Sequence, residues 1–213
     1  MIWEEGYKMN IDQDEDDLVK ETEMTKKYGI KTYGDYITWN DEQRYEIIEG
    51  KVYSMSPAPD RLHQQVSVEI LGQFYNYLAD KKCEIYSAPF DVRLPEGNES
   101  DQDIKTVVQP DLAVICDLDK LDKRGCRGAP DLIIEIISPS TEKKDKNIKK
   151  RLYEKHGVRE YWLVDYNENH VQVYRLSEDN GYGKPELYTQ KQLLPVNIFN
   201  GDLKVNLVLV FQE

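Results

Sequence analysis

No part of the chain approaches the roughly 20 consecutive apolar residues that a membrane-spanning helix needs. Its start, MIWEEGYKMNIDQDEDDLVKETEM, lacks the basic end, apolar centre and small-residue cleavage site of a secretory signal. Cysteine is scarce: Cys83, Cys116 and Cys126 are an odd count, and no two are spaced as a metal knuckle. The expectation is reduced thiols in a cytoplasmic protein. Histidine is equally scarce, and His63, His156 and His170 are spaced for no zinc site. No internal repeat or low-complexity tract is present. Positive charge is in deficit, with 28 Lys and Arg against 40 Asp and Glu for a net −12. That balance argues against a general nucleic-acid coat protein but allows a local basic groove.

What remains is a globular composition, 39% hydrophobic and 32% charged over 213 residues, enough for one domain with a full core. Residues 1–30 carry nine acidic and four basic side chains and read as an acidic N-terminal arm, with a short helix near Asp17–Lys26. Residues 31–213 read as a single domain. It opens with two β-rich runs around the turn Glu49-Gly50, an N-terminal β-hairpin. Asp60 is the expected N-cap of a helix over 61–80. There Leu62, Val66, Ile70, Phe74 and Leu78 recur every four residues, widened by Leu71 and Tyr77. Three strands follow: CEIYSAPFDVRL, TVVQPDLAVIC and DLIIEIIS. A charged helix over 142–156 ends at Gly157. A strand pair, EYWLVDYN and HVQVYRL, turns around Asn167–Asn169, and the tail adds a short strand and an apolar end. The order specifies a mixed α/β domain.

Glu135 is the informative residue, because it interrupts Leu132-Ile133-Ile134-Glu135-Ile136-Ile137. A run apolar on both faces is a strand covered on both sides. A lone carboxylate there costs several kcal/mol unless a cation, from the protein or a bound metal, pairs with it. A buried structural ion pair and a functional acid are both open readings. Asp111, after Pro110 in VVQPDLAVI, is its natural companion, since proline marks an edge or distortion that aims a side chain sideways. Asp131 is less suited: four strand residues separate it from Glu135 by roughly 13 Å. It reads as a strand-start residue.

Positive charge gathers just beyond that strand. Residues 141–160 hold eight basic and four acidic side chains, or +4, leaving −16 for the rest. Asp145, Lys149 and Tyr153 share one helical stripe beside Ile148 and Leu152. Lys149 therefore sits at the border of the buried face, where its ammonium can reach inward. The alternative is an ordinary solvated basic face. Two acids and a lysine suit phosphodiester hydrolysis. The carboxylates would hold Mg²⁺ (or Mn²⁺) and the lysine would stabilise developing charge. Lys143, Lys144, Lys146 and Lys150 would meet the phosphate backbone.

VVQPDLAVIC, GAPDLIIEIISPST, the Asp145–Lys149–Tyr153 spacing and GVREYWLVD resemble the bacterial Uma-type family. Its members are labelled "putative restriction endonucleases" and belong to the PD-(D/E)XK nuclease superfamily. YEIIEGKVYSMSPAP and SAPFDVRLPE are similar to its N-terminal half, so the resemblance covers about residues 30–210. It implies a restriction-endonuclease-like fold, a central mixed β-sheet flanked by helices. It places the superfamily aspartate on Asp111 and the strand glutamate on Glu135. The superfamily lysine usually lies two residues after the acid, where this chain has Ile137; the family resemblance points instead to Lys149. Glu46 is similar to a glutamate of the family's first motif and either completes the acidic cluster or is an exposed strand residue.

His63, in the first turn of the first long helix, is either a base or phosphate contact, or a polar cap-region residue. Ser138 and Thr141 read as helix-capping residues rather than nucleophiles, and Tyr161 and Trp162 as core. The expected function is a metal-dependent DNA endonuclease, with homodimerisation as a simple route to cutting two strands. The alternative is a nuclease-fold protein, weakly active or inactive, that binds nucleic acid or a protein partner.

Overall fold

The computed structural model of the protein describes residues 29–40, 43–55, 58–179 and 181–212. The expected acidic arm and its helix near Asp17–Lys26 lie outside these, apart from Gly29 and Ile30. A short helix α1 (Tyr33–Tyr36) is capped reciprocally by Thr32 and Asp35. Strands β1 (Tyr45–Ile48) and β2 (Lys51–Ser54) pair antiparallel. Between them Glu49 (φ 52°) and Gly50 (φ 82°) are both left-handed, as a tight two-residue hairpin turn requires.

Helix α2 (Arg61–Leu78) begins where Asp60 accepts the His63 amide at 2.9 Å. Its buried stripe is Val66, Ile70, Phe74 and Leu78. Leu62, expected in that stripe, is instead 41% exposed, because His63 takes the inward position of the first turn.

The next two strands differ from expectation in one way. CEIYSAPFDVRL forms β3 (Glu84–Ser87) and β4 (Val92–Arg93), and TVVQPDLAVIC forms β5 (Val107–Val108) and β6 (Leu112–Ile115). Each breaks at a proline, Pro89 or Pro110, which supplies no amide to a ladder. At each break the chain passes from one sheet to another. The charged loop that follows contains a small hairpin, β7 (Leu121–Asp122) and β8 (Gly125–Arg127). Strand β9 (Leu132–Ile137) leads into a helix over 142–156, formed by a π-helical segment (Lys144–Lys149) and α3 (Lys150–His156). Gly157 closes it at φ 81°. Strands β10 (Glu160–Asp165), β11 (His170–Arg175) and β12 (Glu186–Thr189) complete the larger layer. The tail supplies β13 (Leu193–Pro195), β14 (Lys204–Asn206) and a final turn α4 (Leu207–Val210).

The central sheet is mixed, in the order β12-β11-β10-β9-β6-β3. A second runs β2-β1-β5-β4-β8-β7, and β13-β14 stand apart. Strands β9 and β10 are parallel, joined by the helix over 142–156 as a crossover. Alternation along β9 sends Leu132, Ile134 and Ile136 to the face covered by α2, where Phe74 meets Trp162 at 5.8 Å. Ile133 and Ile137 go to the other face, against Leu152 and Tyr153 of α3 and residues of the second sheet. Glu135 belongs to that second face.

The cysteine expectation is corrected. Cys83 and Cys116 form a disulfide, and Cys126 alone is free and buried. The β3–β6 register pairs Glu84 with Ile115, so one residue further it sets Cys83 opposite Cys116. Their 33-residue separation concealed this in the sequence. Among the described residues no helix is long and apolar enough to cross a membrane.

Candidate active site

The site forms where β5 leaves one sheet and β6 enters the other. Gln109-Pro110-Asp111 spans that gap, so local backbone amides lose their strand partners. Side-chain carboxylates replace them. Asp111 Oδ2 accepts the Ile136 amide at 2.8 Å, and Glu46 Oε1 accepts the Gln109 amide at 3.1 Å. The β6–β9 register pairs Leu112 with Ile134; continued by one residue, it sets Asp111 opposite Glu135. Both residues line one pocket of about 460 Å³, which Glu46, His63, Lys144 and Lys149 also line.

Lys149 is the hub. It is not at a wet border but buried, and its Nζ lies 2.8 Å from Glu135 Oε1, 2.8 Å from Glu46 Oε1 and 3.7 Å from Asp145 Oδ1. The π-helical segment widens the turn that holds Lys144, Asp145 and Lys149, a distortion that commonly marks functional positions. There the Lys150 amide reaches back five residues to the Asp145 carbonyl, which also accepts the Tyr161 hydroxyl at 3.1 Å. The Tyr153 hydroxyl donates to Glu135 Oε1 at 2.8 Å. Lys144 donates to Glu46 Oε2 at 2.7 Å. Glu46 is fully buried in β1, so it is not an exposed strand residue.

Four carboxylates (Glu46, Asp111, Glu135, Asp145) thus face two lysines, an excess of negative charge in a poorly solvated space. The acids respond differently. Burial pushes the Glu135 carboxyl well up, and Asp145, Asp111 and Glu46 add to this against the opposing pull of Lys149. Burial likewise raises Asp145. Burial would raise Glu46 too, but Lys144 and Lys149 outweigh it and hold the carboxyl down to about 2. Burial disfavours the Lys149 ammonium, but Glu135, Glu46 and Asp145 together keep it charged, far above the ordinary lysine range.

His63 is inward-facing, with Nε2 3.3 Å from Asp111 Oδ2. Burial opposes its protonation, yet the bond to Asp111, with Asp111 and Asp60 as charges, raises its pKa. Its cap-region placement and its contact with the site acid therefore hold together.

Of the lysines expected to meet a phosphate backbone, Lys144 lines the pocket. Lys143, Lys146 and Lys150 do not. Lys146 pairs with Glu142, and Lys150 lies over the Tyr174 ring at 4.8 Å. Asp131 is structural: its Oδ2 accepts the Cys116 amide and its Oδ1 pairs with Arg159. Ser138 does not cap the helix by its side chain; its backbone carbonyl accepts the Thr141 and Glu142 amides. Sequence reasoning did not assign Asp145 or Gln109 to the site. The signals were present, in the Asp145–Lys149 spacing and in the position of Gln109 two residues before Asp111.

The sequence profile of the Uma2 family, described as "Putative restriction endonuclease", matches residues 32–208. The chain belongs to the Uma2 family. A relative, "Uncharacterized protein slr1290" of Synechocystis sp. (strain ATCC 27184 / PCC 6803 / Kazusa), is 26% identical over 151 residues, 70% of this chain and 75% of its own length. A crystal structure described as a "putative nuclease belonging to DUF820" from Anabaena variabilis ATCC 29413 superposes with a TM-score of 0.67. It is 21% identical, and the match covers 84% of this chain and 97% of that one. At that identity the likeness establishes the fold, which for this Uma2 protein is the restriction-endonuclease-like one. Among the described residues no group of three or more His, Cys, Asp or Glu forms a ready metal cage. The oxygens available to a cation are those of Asp111, Glu135 and Asp145, and they suit a hard divalent ion.

Proposed function

We propose that this Uma2 protein is a divalent-metal-dependent endonuclease that hydrolyses phosphodiester bonds in DNA. The observation that carries the reading is the opposition of Asp111 and Glu135 across a strand junction at one pocket, with Lys149 on Glu135.

The residues fit Mg²⁺ or Mn²⁺ on three counts. The pocket gathers four carboxyl groups, Glu46, Asp111, Glu135 and Asp145, against two lysines. Asp145 Oδ1 is buried without a hydrogen-bond partner, 3.7 Å from the nearest ammonium. Magnesium usually takes one or two protein carboxylates and keeps several waters, so a two-acid site with open space suits it without a three-residue cage. Asp111 and Glu135 would hold the ion; bound there, it would supply polarisation of a phosphoryl oxygen and a more acidic water.

The protein's own groups do the rest. Lys149 and Tyr153 converge on Glu135 Oε1, which fixes the carboxylate and leaves Oε2 for an ion. The Ile136 amide and His63 do the same for Asp111 through Oδ2. Lys149 offers a fixed positive charge to the oxyanion that develops at phosphorus, without reorganisation. Lys144, at the pocket wall, can exchange Glu46 for a phosphate oxygen.

A second reading, a nuclease fold that binds DNA without cutting it, is favoured by one feature: Lys149 is already bonded to two acids, Glu46 and Glu135. Plasmid cleavage decides between them. Purified protein with Mg²⁺ or Mn²⁺ should nick or cut DNA, EDTA should stop it, and Asp111→Asn or Glu135→Gln should slow it at least ~100-fold. Binding without cutting by the wild type supports the second reading. Cutting that survives either variant removes the site assignment.

A further inference from the structure

A second pocket, of about 420 Å³, lies against the first, and nothing in the proposed hydrolysis uses it. The two share a wall. Ser87 and Ala88 line the first pocket while Tyr86, Pro89, Phe90 and Asp91 line the second, and Gln109 lines both. We infer that this second pocket is a nucleobase subsite, which takes one unpaired base bearing an exocyclic amino group, next to the phosphate held at Asp111 and Glu135. The inference rests on the nuclease reading for the identity of the strand, but its own observations are separate.

The first is an aromatic wall. Tyr86 and Phe90 stack in parallel, with centroids 4.3 Å apart and planes within 6°. Both rings are only partly buried. Such a platform extends readily by one more flat ring, and aromatic stacking is how unpaired bases are gripped without regard to sequence. The second is a rim of positive charge. Lys123 and Arg124 form the exposed turn between β7 and β8, fixed by the Asp122 carboxylate accepting the Arg124 amide at 2.7 Å. Asp122 is shared between this turn and the buried Arg93, 2.7 Å away, with which Asp101 also pairs.

The third is the chemistry of the floor. Asp91 accepts from Gln109 Nε2 at 2.8 Å and from the Tyr33 hydroxyl at 3.1 Å. A carboxylate has about four acceptor positions, so capacity remains. The Gln109 donors are spent, since its Nε2 also reaches the Tyr36 hydroxyl, while its Oε1 accepts from Arg44. The polar floor is therefore an acceptor. It matches an amino group, such as cytosine N4, and not the carbonyl that thymine presents in the same place.

Fluorescence anisotropy of the full chain with short labelled oligodeoxycytidine and oligothymidine, in EDTA so that nothing is cut, tests this. Deoxycytidine strands should bind about tenfold more tightly than thymidine strands, the effect of one base-edge contact. Phe90→Leu should weaken both about tenfold through lost stacking, and Asp91→Asn should remove the preference while retaining thymidine binding. The exposed pair Lys123→Glu and Arg124→Glu, remote from the core, should weaken both strands in a folded protein whatever Phe90→Leu does to stability. Equal affinity of the wild type for the two strands, or unchanged binding in the charge-reversed protein, would overturn the subsite. Plasmid cleavage measured alongside separates the two claims. A preference that persists in a protein that never cuts leaves the subsite standing and removes the nuclease; cutting without a preference does the reverse.

Discussion

Replacing Glu135 with glutamine should make the metal-free protein more stable, not less, and the gain should grow with pH. Glu135 is buried among Asp111, Asp145 and Glu46, and its carboxyl is pushed from the ordinary 4.5 up to about 8. The amide of the introduced glutamine keeps an oxygen able to accept from Lys149 and Tyr153 while carrying no charge. The sign follows from linkage. A native pKa raised above the unfolded one contributes stability that is complete below pH 4.5 and lost as pH rises through about 8. At ~1.4 kcal/mol per pH unit, the wild-type handicap reaches an upper bound of about 5 kcal/mol at pH 9 and vanishes near pH 4. Urea midpoints of both proteins in EDTA at pH 5, 7 and 9 give the comparison. The reasoning is refuted if the variant is the less stable protein at pH 9, which is what an ordinary structural Lys149–Glu135 pair requires.

Glu46 should behave in the opposite way. Its carboxyl is held down to about 2 by Lys144 and Lys149 despite burial, so its contribution is complete above 4.5 and lost as pH falls toward 2, about 3 kcal/mol in all. Glu46→Gln should cost about 3–5 kcal/mol at pH 7 and flatten the acid limb of a stability–pH curve; a variant with an unchanged acid limb contradicts the assignment. Gly125→Ala should destabilise by more than ~1 kcal/mol in thermal unfolding, since the backbone is at φ 116° and a Cβ would meet the Asp91 carbonyl at 2.3 Å. A wild-type melting temperature there would mean that the β7–β8 hairpin shifts freely. Phe74→Ala should cost about 3–5 kcal/mol by opening a cavity beside Trp162, read from the same curves.

Much of this architecture was legible in the residues, for local reasons. The Glu49-Gly50 turn, the Asp60 cap, the Gly157 stop and the four-residue stripe from Val66 to Leu78 are each set by a few neighbouring side chains. Glu135 stood out because an ionisable group in an all-apolar strand is costly in any fold. What the sequence hid depends on pairings between distant segments. Pro110 announced distortion, but neither it nor Pro89 revealed that the chain crosses between sheets at each. Cys83 and Cys116 meet only through the β3–β6 register. The depth of Lys149 follows from the π-helical turn, which periodicity at 3.6 residues cannot anticipate. Asp145 was visible as a stripe member, yet its burial without a full partner belongs to the packed state alone.

The two sheet crossings also explain why the acids gather. Where β5 gives way to β6, backbone donors at Gln109 and Ile136 need acceptors, and Glu46 and Asp111 provide them. Folding thus fixes one oxygen of each carboxylate and directs the cluster at a single opening. The proposed chemistry exploits an arrangement that the junction already demands.

The most direct test is a crystal of the protein soaked in Mn²⁺ and measured at the manganese absorption edge. The account predicts an anomalous peak within about 2.0–2.6 Å of oxygens from both Asp111 and Glu135, with Lys149 still on Glu135 Oε1. A fully soaked crystal with no peak there, and Asp111 and Glu135 held only by protein groups, would contradict it.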